Sequence, residues 1–343
     1  MAFDLHLHSS RWLEHVRRTV DATPGIVPVI KGNGYGLGRD LLAGEARALD
    51  LDTVAVGTYD EVPEALARFD GDVMVLAPWR PFTSDVVHDT RVIHTVGRVD
   101  DVARLAAEHP GTRVVLEGET SMARHGLDRH ELAPAVAALG DLSVEGFAIH
   151  LPMAGGNLAE AEEWAAVLET SQLDTRTLFV SHLTPAEIAT LRERRPQLAV
   201  RPRIGTALWL GDLGALEVRA TVLDRHPVVR GERVGYRQRP MPRDGHVLVI
   251  AGGTSHGVGL EAPRAVASPI ERGKSLAKGG LAAAGLALSP FTIAGKQRWF
   301  AEPPHMQASM VFLPADVAPP EVGDTVSVAV RYTIASFDRI LRT

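Results

Sequence analysis

The chain has 343 residues, 45% of them hydrophobic, and a formal charge of −6 at neutral pH. That is enough apolar material for one large domain and a smaller one, and the acidic balance argues against a nucleic-acid partner held by phosphate neutralisation. There is no cysteine, which removes disulfides, thiolate catalysis and cysteine-based zinc sites, and no metal site is expected.

Residues 1–8 show no basic region, apolar core or cleavage signal. The weakly polar run 279–295 is broken by Ser289-Pro290 and is too short to span a bilayer. The expectation is a cytoplasmic protein with no membrane partner.

Asp4-Leu5-His6-Leu7-His8 alternates in the manner of a strand, and 10–20 reads as a helix. A repeating unit then sets in. Apolar runs at 27–30, 53–57, 73–77, 92–96, 113–116, 142–150, 178–180 and 198–204 read as strands. Between most of them lie helical segments at 40–49, 61–69, 100–108, 132–139, 158–168 and 185–194, the last with Thr184 as cap and Pro185 at its first position. This is the pattern of an α/β chain with a (β/α)8 TIM-type barrel, placed over residues 9–212. An open doubly wound sheet is the competing arrangement, and both put functional groups at the C-terminal ends of the strands.

After residue 212 the helices stop. Alternating runs at 216–223, 232–237, 246–251, 298–301, 309–313 and 325–333, separated by turn signals, predict a mostly β domain over 213–343, which the strand in 1–8 can join. An Ala/Gly-rich insertion is expected at about 260–294.

Of the 36 basic residues only four are lysines, and one of them, Lys31, follows the apolar run Val27-Pro28-Val29-Ile30. It opens the turn Gly32-Asn33-Gly34-Tyr35-Gly36-Leu37-Gly38. An ammonium emerging from an apolar wall has its charged form disfavoured, the condition a Schiff-base lysine needs. The alternative is a glycine turn that merely closes a βα unit. Other polar groups fall at strand ends: Arg124 past the fifth strand, His150 on the sixth, Ser181 and His182 on the seventh, and Arg203-Ile204-Gly205-Thr206 on the eighth. A Gly-Thr step there offers backbone N–H groups to a phosphate.

Lys31-Gly32-Asn33-Gly34-Tyr35-Gly36-Leu37-Gly38 resembles the K-A-N-A-Y-G-H-G motif of the alanine racemase family, fold-type III enzymes that use pyridoxal phosphate (PLP). The likeness runs on in the same order. Val56-Gly57-Thr58-Tyr59-Asp60-Glu61 is similar to V-A-T-x-x-E, the stretch from Glu119 to Gly126 to D-T-G-M-x-R-x-G, and Arg203 to Gly211 to R-x-G-I-x-x-Y-G. Gly235-Tyr236 and Met306-Gln307-Ala308-Ser309-Met310 resemble S-Y-G and M-D-Q-C-M.

The resemblance implies a homodimer with active sites shared between subunits, acting on an amino acid that need not be alanine as a PLP-dependent racemase or epimerase by proton exchange at Cα. Lys31 would carry the cofactor and serve as one of two proton-transfer bases. Tyr35, Ser181 and the N–H groups of Gly205 and Thr206 would hold its phosphate. Arg203 would face the pyridine nitrogen with His150 hydrogen-bonding behind it, and Arg124 and the Met306 backbone would take the substrate carboxylate. Blander readings stand beside these: His150 as a core histidine, Arg124 as a surface partner of Glu119, and Thr184 or His182 in the place of Ser181.

Departures from the motifs matter. Gly253-Thr254-Ser255-His256-Gly257 puts Thr254 where the family has its second catalytic tyrosine. A threonine hydroxyl does not titrate in a useful range, so His256, two residues on, is the candidate base, or else an ordinary loop histidine. Glu117 stands where the family often carries a modified lysine, able to pair Arg124 directly, and Gln307 replaces an aspartate. Arg272, Lys274 and Lys278 of the insertion are candidates for reading a larger or negatively charged substrate near the entrance, against a solvated loop. The second functional reading is a PLP-binding protein with little or no racemase activity, in a regulatory or cofactor-handling role. A lyase or decarboxylase on the same fold is disfavoured by the absence of cysteine.

Overall fold

A computed structural model describes residues 2–260 and 287–343. The expected insertion, with Arg272, Lys274 and Lys278, lies outside the described residues except at its ends. The chain divides into two compact units, Glu14–Gly211 and a second made of Met1–Leu13 with Asp212–Thr343.

Strand β1 (Phe3–Leu7) belongs to the second unit. The first unit holds eight parallel strands: β2 (Val27–Pro28), β3 (Thr53–Val56), β4 (Asp72–Val75), β5 (Val92–Val96), β6 (Arg113–Gly118), β7 (Ser143–Ile149), β8 (Thr177–Val180) and β9 (Ala199–Ile204). Each pairs with the next from β3 through β9, β9 pairs with β2, and a parallel bridge between Val29 and Ala55 closes the ring. The barrel is therefore closed, and the open-sheet alternative is set aside. Its interior layer takes one or two apolar residues from each of seven strands, from Val27 and Val29 through Ile93 to Phe179. Strands buried on both faces need no polar alternation, which is why they read as short continuous apolar runs.

Helices fall where the 3.6-residue periodicity put them. Pro185–Arg194 shows the local logic: the Thr184 hydroxyl accepts from the Glu187 N–H, and the Glu187 carboxylate accepts from the Thr184 N–H at 2.8 Å. Among the described residues no helix is long and apolar enough to cross a membrane.

The second unit is built on β10 (Leu216–Val228), β11 (Arg233–Val234), β12 (Arg239–Pro240), β13 (Gly245–Ala251), β14 (Leu288–Ile293), β15 (Lys296–Phe300), β16 (Ala308–Pro314), β17 (Thr325–Val328) and β18 (Arg339–Arg342). Its main sheet runs β13-β16-β15-β14-β17-β10-β1-β18, with β13 also pairing β10. Three expectations are corrected. The run 232–237 gives only the short ribbon β11–β12, and 325–333 stops at Val328. Residues 288–293, assigned to the insertion, form β14, which keeps Pro290 because the register slips there. A proline at an irregularity removes no ladder hydrogen bond. The short β18 was hidden by its two arginines; Arg339 pairs with buried Asp4 of β1 at 2.6 Å.

Candidate active site

Four glycines of the turn after β2 (Gly32, Gly34, Gly36 and Gly38) have positive φ, and so does Tyr35 at 56°. A tyrosine held there costs backbone energy and persists only where its surroundings fix it. The reason is visible at its tip. The Tyr35 hydroxyl lies against the backbone of Gly205, where a Cβ would overlap it. Gly205 follows β9 and precedes the single helical turn Thr206–Trp209, which is tied to β2 by the Trp209 indole donating to the Val29 carbonyl at 2.8 Å. Burial, helped by Glu61, pushes the Tyr35 phenol up to about 12, so it stays a donor. A phenol O–H beside a bare glycine backbone is a cradle for an anion.

Glu61, quoted only as part of a motif, has a structural task. One carboxylate oxygen accepts the Gly32 N–H at 2.7 Å and the other the Gly57 N–H at 2.6 Å, so one side chain fixes the ends of two neighbouring strands. Lys31, between them, projects into an open cavity of about 180 Å³ that it shares with Glu117, Arg124, His125, His150 and Arg203. Desolvation pulls the Lys31 ammonium below its ordinary range, Arg124 and Arg203 add to this, and Glu61 opposes it. The structure thus brings Lys31, Tyr35, Arg124, His150, Arg203 and Gly205 to one end of the barrel.

Arg203 is 6% exposed; its Nη2 donates to the Ile149 carbonyl at 2.8 Å, while its Nε is buried without a partner. The expected bond from His150 to Arg203 is replaced: His150 Nδ1 shares a 3.0 Å hydrogen bond with the Ser181 hydroxyl. Burial first, then Arg203 and Arg124, then His182 and Lys31, push His150 down to about 3, so it is neutral at ordinary pH. Thr184 is committed to its helix cap, which leaves Ser181 as the hydroxyl at this strand end.

Glu117 is 2% exposed and its Oε2 has no hydrogen-bond partner. Burial pushes its carboxyl up, with Arg203, Arg124 and Arg80 working against that. Among the described residues it forms no ion pair with Arg124, which stands exposed on the loop after β6 and pairs with Glu119 no more than with Glu117. The unpartnered Glu117 oxygen and Arg203 nitrogen belong to side chains that line one cavity, which leaves hydrogen-bonding capacity for a ligand or water.

The remaining expected residues lie in the β unit. Thr254 and His256 sit in the turn after β13, bound to the loop before β16 by Thr254 N–H to the His305 carbonyl (2.8 Å) and Ser255 N–H to the Met306 carbonyl (3.0 Å). Met306 is 72% exposed. His256 is not free to act as expected. Its Nε2 meets Asp338 at 3.2 Å, its Nδ1 accepts the Gly253 N–H at 3.3 Å, and the ring packs 5.1 Å from that of Phe3. The imidazole ties the turn to the N- and C-terminal segments. Beside it stands a group that the sequence reading passed over: His305, with its Nε2 2.6 Å from the buried carboxylate of Glu302.

The family model described as alanine racemase, N-terminal domain, matches residues 10–210. An alanine racemase of Nitratidesulfovibrio vulgaris is 28% identical over 265 residues, covering 69% of each chain. Among solved structures, the alanine racemase of Bartonella henselae with covalently bound pyridoxal phosphate superposes with a TM-score of 0.73 at 17% identity, covering 100% of this chain and 99% of that one. The histidine racemase of Leuconostoc mesenteroides gives 0.68 at 17% identity, covering 100% and 97%. With a closed barrel, a lysine turn after its first strand and a family match over most of the barrel, the chain belongs to the alanine racemase family.

Proposed function

We propose that this protein is a PLP-dependent amino-acid racemase, working as a homodimer whose active sites are shared between subunits. The observation that carries the reading is the Tyr35 hydroxyl seated on Gly205 beside Lys31, a lysine and a phosphate cradle at one barrel mouth. The orphaned Arg203 Nε, in the cavity that Lys31 also lines, fits a polar end of the cofactor.

In this reading Lys31 Nζ would hold the cofactor and would exchange a proton at one face of the substrate Cα. Its lowered pKa leaves more of the free amine for both tasks. When bound, PLP withdraws electrons from Cα and so acidifies its C–H bond. Tyr35 and the backbone of Gly205 and Thr206 would donate to the phosphate, and Ser181, hydrogen-bonded to neutral His150, would add a hydroxyl. Arg203, which keeps its proton, would sit by the pyridine nitrogen and leave it unprotonated, which would favour simple proton exchange over deeper bond cleavage. Arg124, at the cavity edge and without an ion pair among the described residues, would hold the substrate carboxylate.

The second reading, a PLP-binding protein without racemase activity, is favoured by one observation: Thr254 stands in the tyrosine's place and His256 is tied down. Deuterium uptake at Cα in D2O separates the two. Uptake into both enantiomers of an amino acid supports racemisation, and no uptake across a broad panel supports the non-catalytic role.

A further inference from the structure

The racemase reading requires a proton-transfer group on the face of Cα opposite Lys31, and the β unit carries one that fits. His305 lies one residue before Met306, and its carbonyl accepts the Thr254 N–H at 2.8 Å, so it is backbone-bonded to the position where a base is missing. Its side chain is partly exposed while that of Glu302 is almost wholly buried. The contact between them, Nε2 to Oε1, is 2.6 Å. A carboxylate on Nε2 fixes the tautomer with the proton there and leaves the Nδ1 lone pair as acceptor. Among the described residues Nδ1 has no hydrogen-bond partner recorded, unlike either nitrogen of His256.

Two neighbours hold this pair. Gly235 (φ 74°) passes so close to Glu302 that a Cβ would overlap the carboxylate, which fixes its position against the chain. Tyr236, 86% exposed, lays its ring 4.8 Å from that of His305. The group thus joins a buried carboxylate to a partly exposed imidazole, with the exposed Tyr236 ring beside it.

We propose that His305, positioned by Glu302, is the second general acid–base of the racemisation, beside Lys31 as the first. The inference rests on the racemase reading. In one direction the Cα–H bond breaks, Nδ1 gains the proton and the electron pair stays with the substrate. A new C–H bond then forms on the other face from the Lys31 ammonium. Exchange with solvent returns His305 to neutral and Lys31 to its charged form, so protons balance over the cycle.

The test compares cofactor-loaded wild type with His305→Gln, Glu302→Gln and Tyr236→Phe, using Cα deuterium uptake in D2O and racemisation on the same amino acid. For His305→Gln, racemisation is expected to fall by on the order of 10²–10⁴-fold, while exchange at the Lys31 face persists in one enantiomer and the cofactor absorbance band is unchanged. For Glu302→Gln, the ¹⁵N shifts of the His305 ring should lose the pure Nε2–H tautomer in parallel with racemisation, a signature that a merely structural carboxylate would not move. Racemisation by His305→Gln at the wild-type rate overturns the proposal and leaves the racemase reading standing. Loss in Tyr236→Phe with none in His305→Gln transfers the role to the phenol and overturns it too. If wild type exchanges no Cα proton in any amino acid, the racemase reading itself falls, and the proposal with it.

Discussion

The barrel mouth and the loop cluster of the β unit were read from the same sequence, yet they differ in what holds their groups. At the barrel mouth, backbone geometry dictates side-chain identity: Tyr35 with positive φ reaches Gly205, which can carry no Cβ, and Glu61 spans two strand ends. In the β unit the roles depend on which side chain receives the hydrogen bonds. His256, next door to Thr254 in sequence, is fastened by Asp338 and the Gly253 N–H, while His305, far along the chain, is the histidine left half-exposed on a carboxylate.

The sharpest way to break this contrast is at Lys31. Lys31→Ala should abolish the visible absorbance of the lysine-bound cofactor and lower racemisation by about 10⁴-fold or more. A band retained by the variant would move the attachment point elsewhere. Gly205→Ala comes next. The added methyl has to displace the Tyr35 ring, so PLP affinity should fall by about tenfold or more and stability by about 1–3 kcal/mol, measured by cofactor titration and urea unfolding. Unchanged affinity would show that Gly205 is not part of the cradle.

Glu61→Gln tests the backbone side of the comparison. One of two part-buried N–H groups then faces an amide NH2, at a cost of about 1–3 kcal/mol to unfolding stability. The smallest effect concerns pH. Buried His94, bonded to the Tyr59 hydroxyl at 2.8 Å, is pushed down to about 4, mainly by burial, with His88 and His109 adding to it. The unfolded chain binds this proton near pH 6.5, so folding loses stability as the pH drops below that value, reaching about 2 kcal/mol between pH 7 and pH 5. Denaturant unfolding of His94→Asn should show that share of the slope removed; an identical slope would mean that His94 does not titrate as described.

Much of the fold was legible because the barrel strands are buried on both faces and the helices between them are amphipathic, two periods that a single sequence displays. The β unit was less so. Pro290 hid β14, and Arg339 and Arg342 masked β18, because both strands depend on partners remote in sequence. The cofactor side of the site was legible for the same reason as the barrel, since Lys31, Tyr35 and Arg203 sit at strand ends. Glu61 was passed over although it lay inside a quoted motif, as its two N–H acceptances are formed only when β2 and β3 come side by side. Glu117 was expected to pair with Arg124, and instead keeps a buried oxygen with no partner, a feature of packing that no spacing encodes.

The central claim is that Lys31 anchors a cofactor and exchanges a Cα proton. Its most direct test is Cα deuterium incorporation in D2O by the PLP-loaded wild-type protein across the common amino acids, followed in both enantiomers. Incorporation into both enantiomers of at least one amino acid is expected, abolished in Lys31→Ala. A protein that shows the bound-cofactor band yet incorporates no deuterium into any of them would contradict it.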